Sequence, residues 1–191
     1  MIIGISGKSG SGKTYIANEL AKYFIAKIIS FDEISHEAME TDKFINTIKN
    51  LKILDVFDKN GKILRKKLGE IAFSNPEILD LINKTAEEIM VKIIDEKLKS
   101  LNSKNIIFEY ALLTKMKYFD MCDVKILVDA DENILKERIL TRDNISSEYY
   151  NLRKKNGLIY NKNDFDIIYI NDTHSDLNTL ICQIKNKENL C

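Results

Sequence analysis

A glycine-rich segment near the start of the chain has the residue types and spacing of a phosphate-binding loop. Residues 7–14 read Gly-Lys-Ser-Gly-Ser-Gly-Lys-Thr and fit the pattern GxxxxGK(S/T) at every fixed position. An apolar run, Ile2–Ser6, precedes the segment, and a helical pattern follows it from Tyr15. This strand–loop–helix order lets backbone N–H groups turn toward an anion at the positive end of a helix. The segment therefore predicts a site for the phosphate chain of a nucleotide.

Two side chains in this loop have chemistry of their own. Lys13 would reach the β- and γ-phosphates of ATP, and the hydroxyl of Thr14 would coordinate Mg²⁺. The sequence thus predicts ATP and Mg²⁺ as cofactors. The alternative is a glycine-rich turn that only connects a strand to a helix. The loop residues predicted to bind ATP are Gly7, Lys8, Ser9, Gly10, Ser11, Gly12, Lys13 and Thr14.

Two carboxylates follow apolar runs that read as strands. Asp32 closes the second predicted strand, and Glu109 ends the third. Ligands of open α/β folds collect at the carboxyl ends of the strands. Asp32 would accept a hydroxyl proton from an acceptor substrate while helping to hold the metal, and Glu109 would hold a magnesium-bound water. The alternatives are a helix N-cap for Asp32 and an ordinary loop carboxylate for Glu109.

A basic segment later in the chain could serve the same reaction. Arg138 and Arg142 are four residues apart and therefore lie on one face of a predicted helix. With both arginines on it, such a face would clamp the transferring phosphoryl group of ATP and stabilise its charge. The polar stretch within residues 143–164 would act as a lid that excludes water. The alternative is an amphipathic surface helix with solvated charges.

Short apolar runs alternate with helical stretches, which is typical of a parallel sheet covered by helices. A mostly helical region, residues 32–102, separates the second and third strands. Its clearest helix starts at Asn75-Pro76, an Asn cap before a proline in the first turn. We expect one α/β domain over residues 1–191, with a five-stranded parallel sheet flanked by helices. The predicted strands are Ile2–Ser6, Lys27–Phe31, Asn105–Glu109, Val124–Asp129 and Ile167–Ile170.

The charge balance excludes several classes of partner. The 191 residues include 29 basic and 29 acidic side chains, so the formal net charge is zero. No broad basic face follows from this balance, and nucleic acid is therefore disfavoured as a partner.

The sequence shows no apolar run of membrane-spanning length and no signal-peptide pattern, so we expect a cytoplasmic protein without a membrane partner. We expect small-molecule substrates and a monomer or weak homo-oligomer.

Several blocks of the sequence resemble the dephospho-CoA kinase family of phosphate-loop kinases. The most specific block is Leu64–Pro76, which is similar to a family block with the same Arg, Leu-Gly, Phe and Pro residues. Arg138 and Arg142-Asp143 match the family's Arg-x-x-x-Arg-Asp segment. Ile170-Asn171-Asp172 resembles the family's last strand and the Asn-rich turn near the adenine.

The resemblance implies transfer of the γ-phosphoryl group of ATP to the ribose 3′-hydroxyl of dephospho-CoA. It implies that Asp32 is the base, that Arg142 is the lid arginine and that Asn171 contributes to ATP binding. The helical region would bind the acceptor. Arg65 is a candidate contact there, and Glu87 stands next to the acceptor site.

The sequence also departs from the family pattern. Ser30 stands where the family has the first aspartate of Asp-x-Asp, Glu87-Glu88 replaces a His-Pro pair, and Lys8 occupies a loop position that is normally glycine. An ion pair at a helix start is the alternative role for Arg65. A nucleoside or nucleoside-monophosphate kinase therefore stays open as an alternative, and so does an ATP-binding regulator that has lost transfer activity.

Overall fold

A computed structural model describes residues 1–143, 150, 159–172 and 175–188 of the protein. The described residues form two compact units. We call the first the sheet unit; it contains Met1–Ser30 and the described chain after Leu101. We call the second the helical unit; it contains Phe31–Leu101. Most of the predicted lid, residues 143–164, lies outside the described residues, and its role stays a prediction.

The sheet unit is built on a parallel sheet of five strands. The spatial order of the strands is β2-β3-β1-β4-β5, and every neighbouring pair is parallel. This confirms the predicted sheet. The strands are β1 (Ile2–Ser6), β2 (Lys27–Ser30), β3 (Ile106–Glu109), β4 (Val124–Asp129) and β5 (Ile167–Ile170).

Helices supply the second layer of the sheet unit. The described helices of this unit are α1 (Lys13–Phe24), α6 (Glu132–Asp143) and α7 (Leu177–Glu188). Apolar side chains of α1 and α7 pack with those of the strands into one cluster. Each fully buried aliphatic side chain in such a cluster stabilises the fold by roughly 2 kcal/mol. The helical contributors are Ile16, Ala17, Leu20, Leu180, Ile181 and Ile184.

The helical unit confirms the helical character predicted for residues 32–102. Its helices are α2 (Phe31–Met39), α3 (Asp42–Asn50), α4 (Arg65–Ser74) and α5 (Pro76–Ser100). The predicted start of the longest helix is also confirmed. Asn75 Oδ1 accepts hydrogen bonds from the N–H groups of Glu77, at 3.1 Å, and Ile78, at 3.3 Å. None of the described helices is long and apolar enough to cross a membrane.

The second strand is shorter than predicted, and this moves Asp32 into a helix. Strand β2 ends at Ser30, and Phe31 is the first residue of α2. Phe31 extends the apolar run of the strand in the sequence, but its side chain is fully buried as part of α2. The prediction that Asp32 closes the strand is therefore wrong: Asp32 lies in the first turn of α2. The third strand likewise begins one residue later than predicted, at Ile106.

Candidate nucleotide site and acceptor pocket

The phosphate loop joins the end of β1 to the start of α1, and two of its positions require glycine. Gly7 has a φ of 154°, and a Cβ atom there would lie 2.1 Å from the backbone oxygen of Val128 in β4. Gly12 caps α1 with a φ of 90°, and a Cβ atom there would lie 2.1 Å from Nδ2 of Asn171. The loop therefore packs against β4 and against the end of β5 more closely than any other residue type allows.

A Gly7→Ala substitution is expected to destabilise the protein more than Gly61→Ala. Gly61 also has a positive φ, 78°, but no described heavy atom lies within 4 Å of a Cβ atom built there. Gly61→Ala should therefore lower the free energy of unfolding only through the backbone strain that it introduces, about 1–2 kcal/mol. Gly7→Ala adds a steric conflict with backbone, which costs about 1–3 kcal/mol more. Urea denaturation of both variants measures the difference, and equal losses would contradict the importance of the close contact.

Two side chains, one from α6 and one from the end of β5, hold the loop backbone. Arg138 Nη1 donates to the carbonyl of Gly10 at 3.2 Å, and Nη2 donates to the carbonyl of Asn171 at 3.4 Å. Asn171 Nδ2 in turn donates to the carbonyl of Ser11 at 2.7 Å. Both residues were predicted to bind ATP, and the structure places both against the loop. Their polar groups fix the backbone that would face the phosphates, a role that spacing in the sequence did not reveal.

Lys13 is buried in the sheet unit beside a carboxylate. Its Nζ atom donates to the carbonyl of Lys8 at 3.3 Å and lies 4.0 Å from Oε1 of Glu109. Glu109 is only 2% exposed, and its Oε2 accepts a hydrogen bond from Ser30 Oγ at 3.4 Å. Ser30 and Glu109 are register partners at the ends of β2 and β3. The sequence identified Ser30 only as a missing carboxylate, whereas its hydroxyl binds the carboxylate of the neighbouring strand.

The remaining sheet-unit residues of the predicted site lie at the loop surface. Arg142 Nη2 donates to Ser9 Oγ at 3.1 Å, so the predicted transfer arginine contacts the phosphate loop directly. Thr14 is exposed in the first turn of α1. Hard oxygen ligands suit Mg²⁺, which proteins commonly hold through one or two such groups together with substrate phosphates. The Thr14 hydroxyl and the Glu109 carboxylate fit this requirement.

The helical unit carries its own cavity of about 250 Å³. Met39, Ile45 and Ile63 form the apolar part of its lining, and the other lining residues are mostly charged or polar. Arg65, the first residue of α4 and the residue predicted to contact the acceptor, is among the lining residues. Glu87, the other predicted acceptor residue, is exposed on α5 and is not among the lining residues. The polar lining consists of His36, Glu40, Asn60, Gly61, Lys62 and Arg65.

Asp32 and His36 are four residues apart on α2, so they share one face of this helix. Asp32 is exposed in the first turn. The four-residue spacing of His36 from Asp32 was the signal in the sequence that could have placed both on one helical face. Burial lowers the pKa of His36, and the positive charge of Arg65 lowers it further, while Asp32 raises it. In this cavity the pKa of His36 therefore depends on the charge of Arg65.

An Arg65→Gln substitution is expected to raise the pKa of His36, because it removes a positive charge that opposes protonation. The lowered pKa means that the unfolded chain binds protons more readily than the folded one, so stability falls as the pH falls through the histidine range. Arg65→Gln should weaken that acid sensitivity. NMR titration in a His174→Gln background observes His36 alone, and Lys43→Gln is the control. A pKa of His36 that is unchanged or lower in Arg65→Gln would contradict the coupling.

Fold and site together define a phosphate-loop protein of the kinase class, with a parallel sheet, a glycine-rich loop and a lysine at the start of the following helix. A family model described as dephospho-CoA kinase matches residues 1–160. The chain belongs to the dephospho-CoA kinase family.

Individual relatives agree with this assignment. The chain is 35% identical to a dephospho-CoA kinase of Fusobacterium nucleatum, over 78% of this chain and 76% of the relative. It is 32% identical to one from Leptospira interrogans, over 82% and 76% of the two chains. Among solved structures, a Thermus thermophilus protein matches with a TM-score of 0.76 at 22% identity, over 98% and 97% of the two chains. A dephospho-CoA kinase from Campylobacter jejuni matches with a TM-score of 0.61 at 21% identity, over 97% and 96%. These two structures support the fold.

Proposed function

We propose that the protein transfers the γ-phosphoryl group of ATP to the ribose 3′-hydroxyl of dephospho-CoA, giving coenzyme A and ADP. The observation that carries the donor half is the buried Lys13 ammonium, fixed within a phosphate loop whose backbone is held by other side chains. The names of the relatives carry the identity of the acceptor.

The donor residues supply positive charge where the reaction builds up negative charge. Lys13 would bind the β- and γ-phosphates, and Arg142 would stabilise the transferring phosphoryl group. Thr14 and Glu109 would hold Mg²⁺, with Asp32 as the further predicted ligand. The ion, when bound, neutralises the charge of the phosphate oxygens.

Proton transfer is assigned to Asp32. Its carboxylate would accept the proton of the 3′-hydroxyl as the ribose oxygen forms a bond to the γ-phosphorus. The bond between the γ-phosphorus and the β–γ bridging oxygen breaks, and its electron pair leaves with ADP. Exposure of Asp32 in the first turn of α2 leaves the carboxylate accessible to a substrate.

The cavity of the helical unit has the chemistry of the proposed acceptor. Dephospho-CoA combines an anionic diphosphate with a long, largely uncharged arm. Arg65 and Lys62 provide cations in the lining, and the apolar side chains provide a surface for the arm. Lys62 pairs with Glu40 at 3.0 Å, but both side chains are exposed, so the pair is weak and can be exchanged. Glu87 stays a prediction, as do the cytoplasmic location and the oligomeric state.

The test is an ADP-release assay with Mg·ATP that compares dephospho-CoA with a panel of nucleosides and nucleoside monophosphates. Turnover on dephospho-CoA alone is the expected result. Turnover on a nucleoside or nucleoside monophosphate instead would identify that compound as the acceptor and the protein as a nucleoside or nucleoside-monophosphate kinase. ATP binding without turnover on any acceptor would identify a regulator that has lost transfer activity.

A further inference from the structure

The phosphate loop contains a second lysine whose side chain has no role in the mechanism above. Residues 7–14 include the cations Lys8 and Lys13 only. The Lys8 backbone is part of the loop framework, because its carbonyl accepts hydrogen bonds from Lys13 Nζ at 3.3 Å and from Ser11 N at 3.2 Å. The Lys8 ammonium is thereby tethered to the same rigid loop as Lys13.

Among the described residues, a single weak ion pair holds the Lys8 ammonium. Its Nζ atom lies 3.5 Å from Oε2 of Glu132, and both side chains are 45% exposed. A charge-assisted hydrogen bond is normally much shorter than this, about 2.7–2.9 Å. Solvent screens the pair, so Glu132 binds the ammonium only loosely. Lys8 is therefore free to exchange this carboxylate for a stronger anion.

Glu132 does not depend on Lys8 for its position. It is the first residue of α6, where the helix dipole favours a negative charge. Its other oxygen, Oε1, accepts a hydrogen bond from the hydroxyl of Tyr150 at 3.3 Å. The carboxylate would consequently stay in place when Lys8 leaves it.

We propose that Lys8 is a second phosphate-binding cation, which leaves Glu132 and binds a phosphate oxygen of ATP, and that Glu132 competes for it. The triphosphate carries several negative charges, so it attracts the ammonium more strongly than one solvated carboxylate does. The inference rests on the proposed function, since it requires that the loop binds ATP. It assigns a role to the Lys8 side chain as well as to its backbone.

The proposal predicts opposite signs for the two partners. Lys8→Met is expected to weaken ATP binding about tenfold, because one charged contact to phosphate is lost. Glu132→Gln is expected to strengthen ATP binding about threefold, because the competitor is removed. Lys8→Arg keeps the charge and should retain the parent affinity. Calorimetric titration with ATP and with inorganic tripolyphosphate measures the dissociation constants, and the loss in Lys8→Met should be the same for both ligands.

The double variant Lys8→Met/Glu132→Gln distinguishes two ways in which Glu132 could weaken ATP binding. Glu132 could compete with ATP for Lys8, or its negative charge could repel ATP directly. Under the proposal it binds ATP as weakly as Lys8→Met, because Glu132 acts only through Lys8. Lys22→Met and Glu137→Gln are matched controls: each makes the same charge change at an exposed position of the sheet unit. Both should leave ATP affinity within about twofold of the parent.

Four results would overturn the proposal. Weaker ATP binding in both Lys8→Met and Glu132→Gln would show that the pair is a structural link between the loop and α6. A gain from Glu132→Gln that persists without Lys8 would show long-range repulsion. Unchanged affinity in Lys8→Met, with ATP bound by the parent, would remove Lys8 from the site and leave the proposed function intact. A parent protein that does not bind ATP would overturn both.

Discussion

An Asp32→Asn variant is expected to keep nearly the parent affinity for ATP and to lose turnover on dephospho-CoA by at least about a hundredfold. Asparagine keeps the shape of the side chain but cannot accept the hydroxyl proton. Because Asp32 lies in the exposed first turn of α2, the substitution removes no buried contact, and folding should be preserved. Steady-state ADP release and calorimetric ATP binding measure the two quantities separately.

Glu33→Gln is the matched control for this prediction. Glu33 is exposed in the same turn of α2, and its substitution by glutamine changes the charge by the same amount. It should retain most of the turnover. A near-normal rate in Asp32→Asn would contradict the assignment of Asp32 as the base. An equal loss of turnover in Glu33→Gln would show that the effect comes from the negative charge of this turn and not from Asp32 itself.

A Lys13→Ala variant is expected to lose ATP affinity and turnover together, with turnover reduced by about a hundredfold or more. The substitution also leaves the buried Glu109 carboxylate without the cation that lies 4.0 Å from it. Breaking a buried pair of this kind costs on the order of 3 kcal/mol of stability. The loss of function must therefore be separated from a loss of fold.

The double variant Lys13→Ala/Glu109→Gln makes that separation. A neutral amide at Glu109 removes the uncompensated charge, so the free energy of unfolding should recover in part, while ATP binding should stay weak. Denaturant unfolding and calorimetry follow the two effects. If ATP binding recovered along with stability in the double variant, Lys13 would contribute to ATP binding only by stabilising the fold. If turnover were unchanged in Lys13→Ala, the loop would be only a structural turn.

Local sequence signals predicted much of the fold. The bounds of β1, β4 and β5 agree with the prediction, because each strand is a short, mostly apolar run that ends at a polar or glycine residue. The start of α5 was equally clear, since Asn75 and Pro76 favour the cap and the first turn of a helix. In both cases the determining interactions lie within a few residues along the chain.

The end of β2 could not be predicted in the same way. Phe31 is apolar, and nothing local shows whether it continues the strand or starts the next helix. Its position depends on tertiary packing, since the side chain is fully buried in the folded protein. Tertiary packing therefore decided whether Asp32 ends a strand or lies in a helix.

The sequence indicated candidate site residues but not their contacts. The motif indicated Lys13, the helical spacing indicated Arg138, and the resemblance indicated Asn171. None of these signals showed that Arg138 and Asn171 bind loop carbonyls, because those contacts join residues more than a hundred positions apart. The hydrogen bond from Ser30 to Glu109 depends likewise on the register of β2 and β3.

The hydrogen bonds to the loop carbonyls bear on how affinity and stability are related in this protein. The chain gives up the conformational freedom of the loop when it folds, so that part of the entropy loss does not recur when a nucleotide arrives. Folding and nucleotide affinity consequently depend on the same few contacts. A substitution that released one of these carbonyls would lower the melting temperature and loosen nucleotide binding at once, and selection for tight ATP binding would also select for a stable sheet unit.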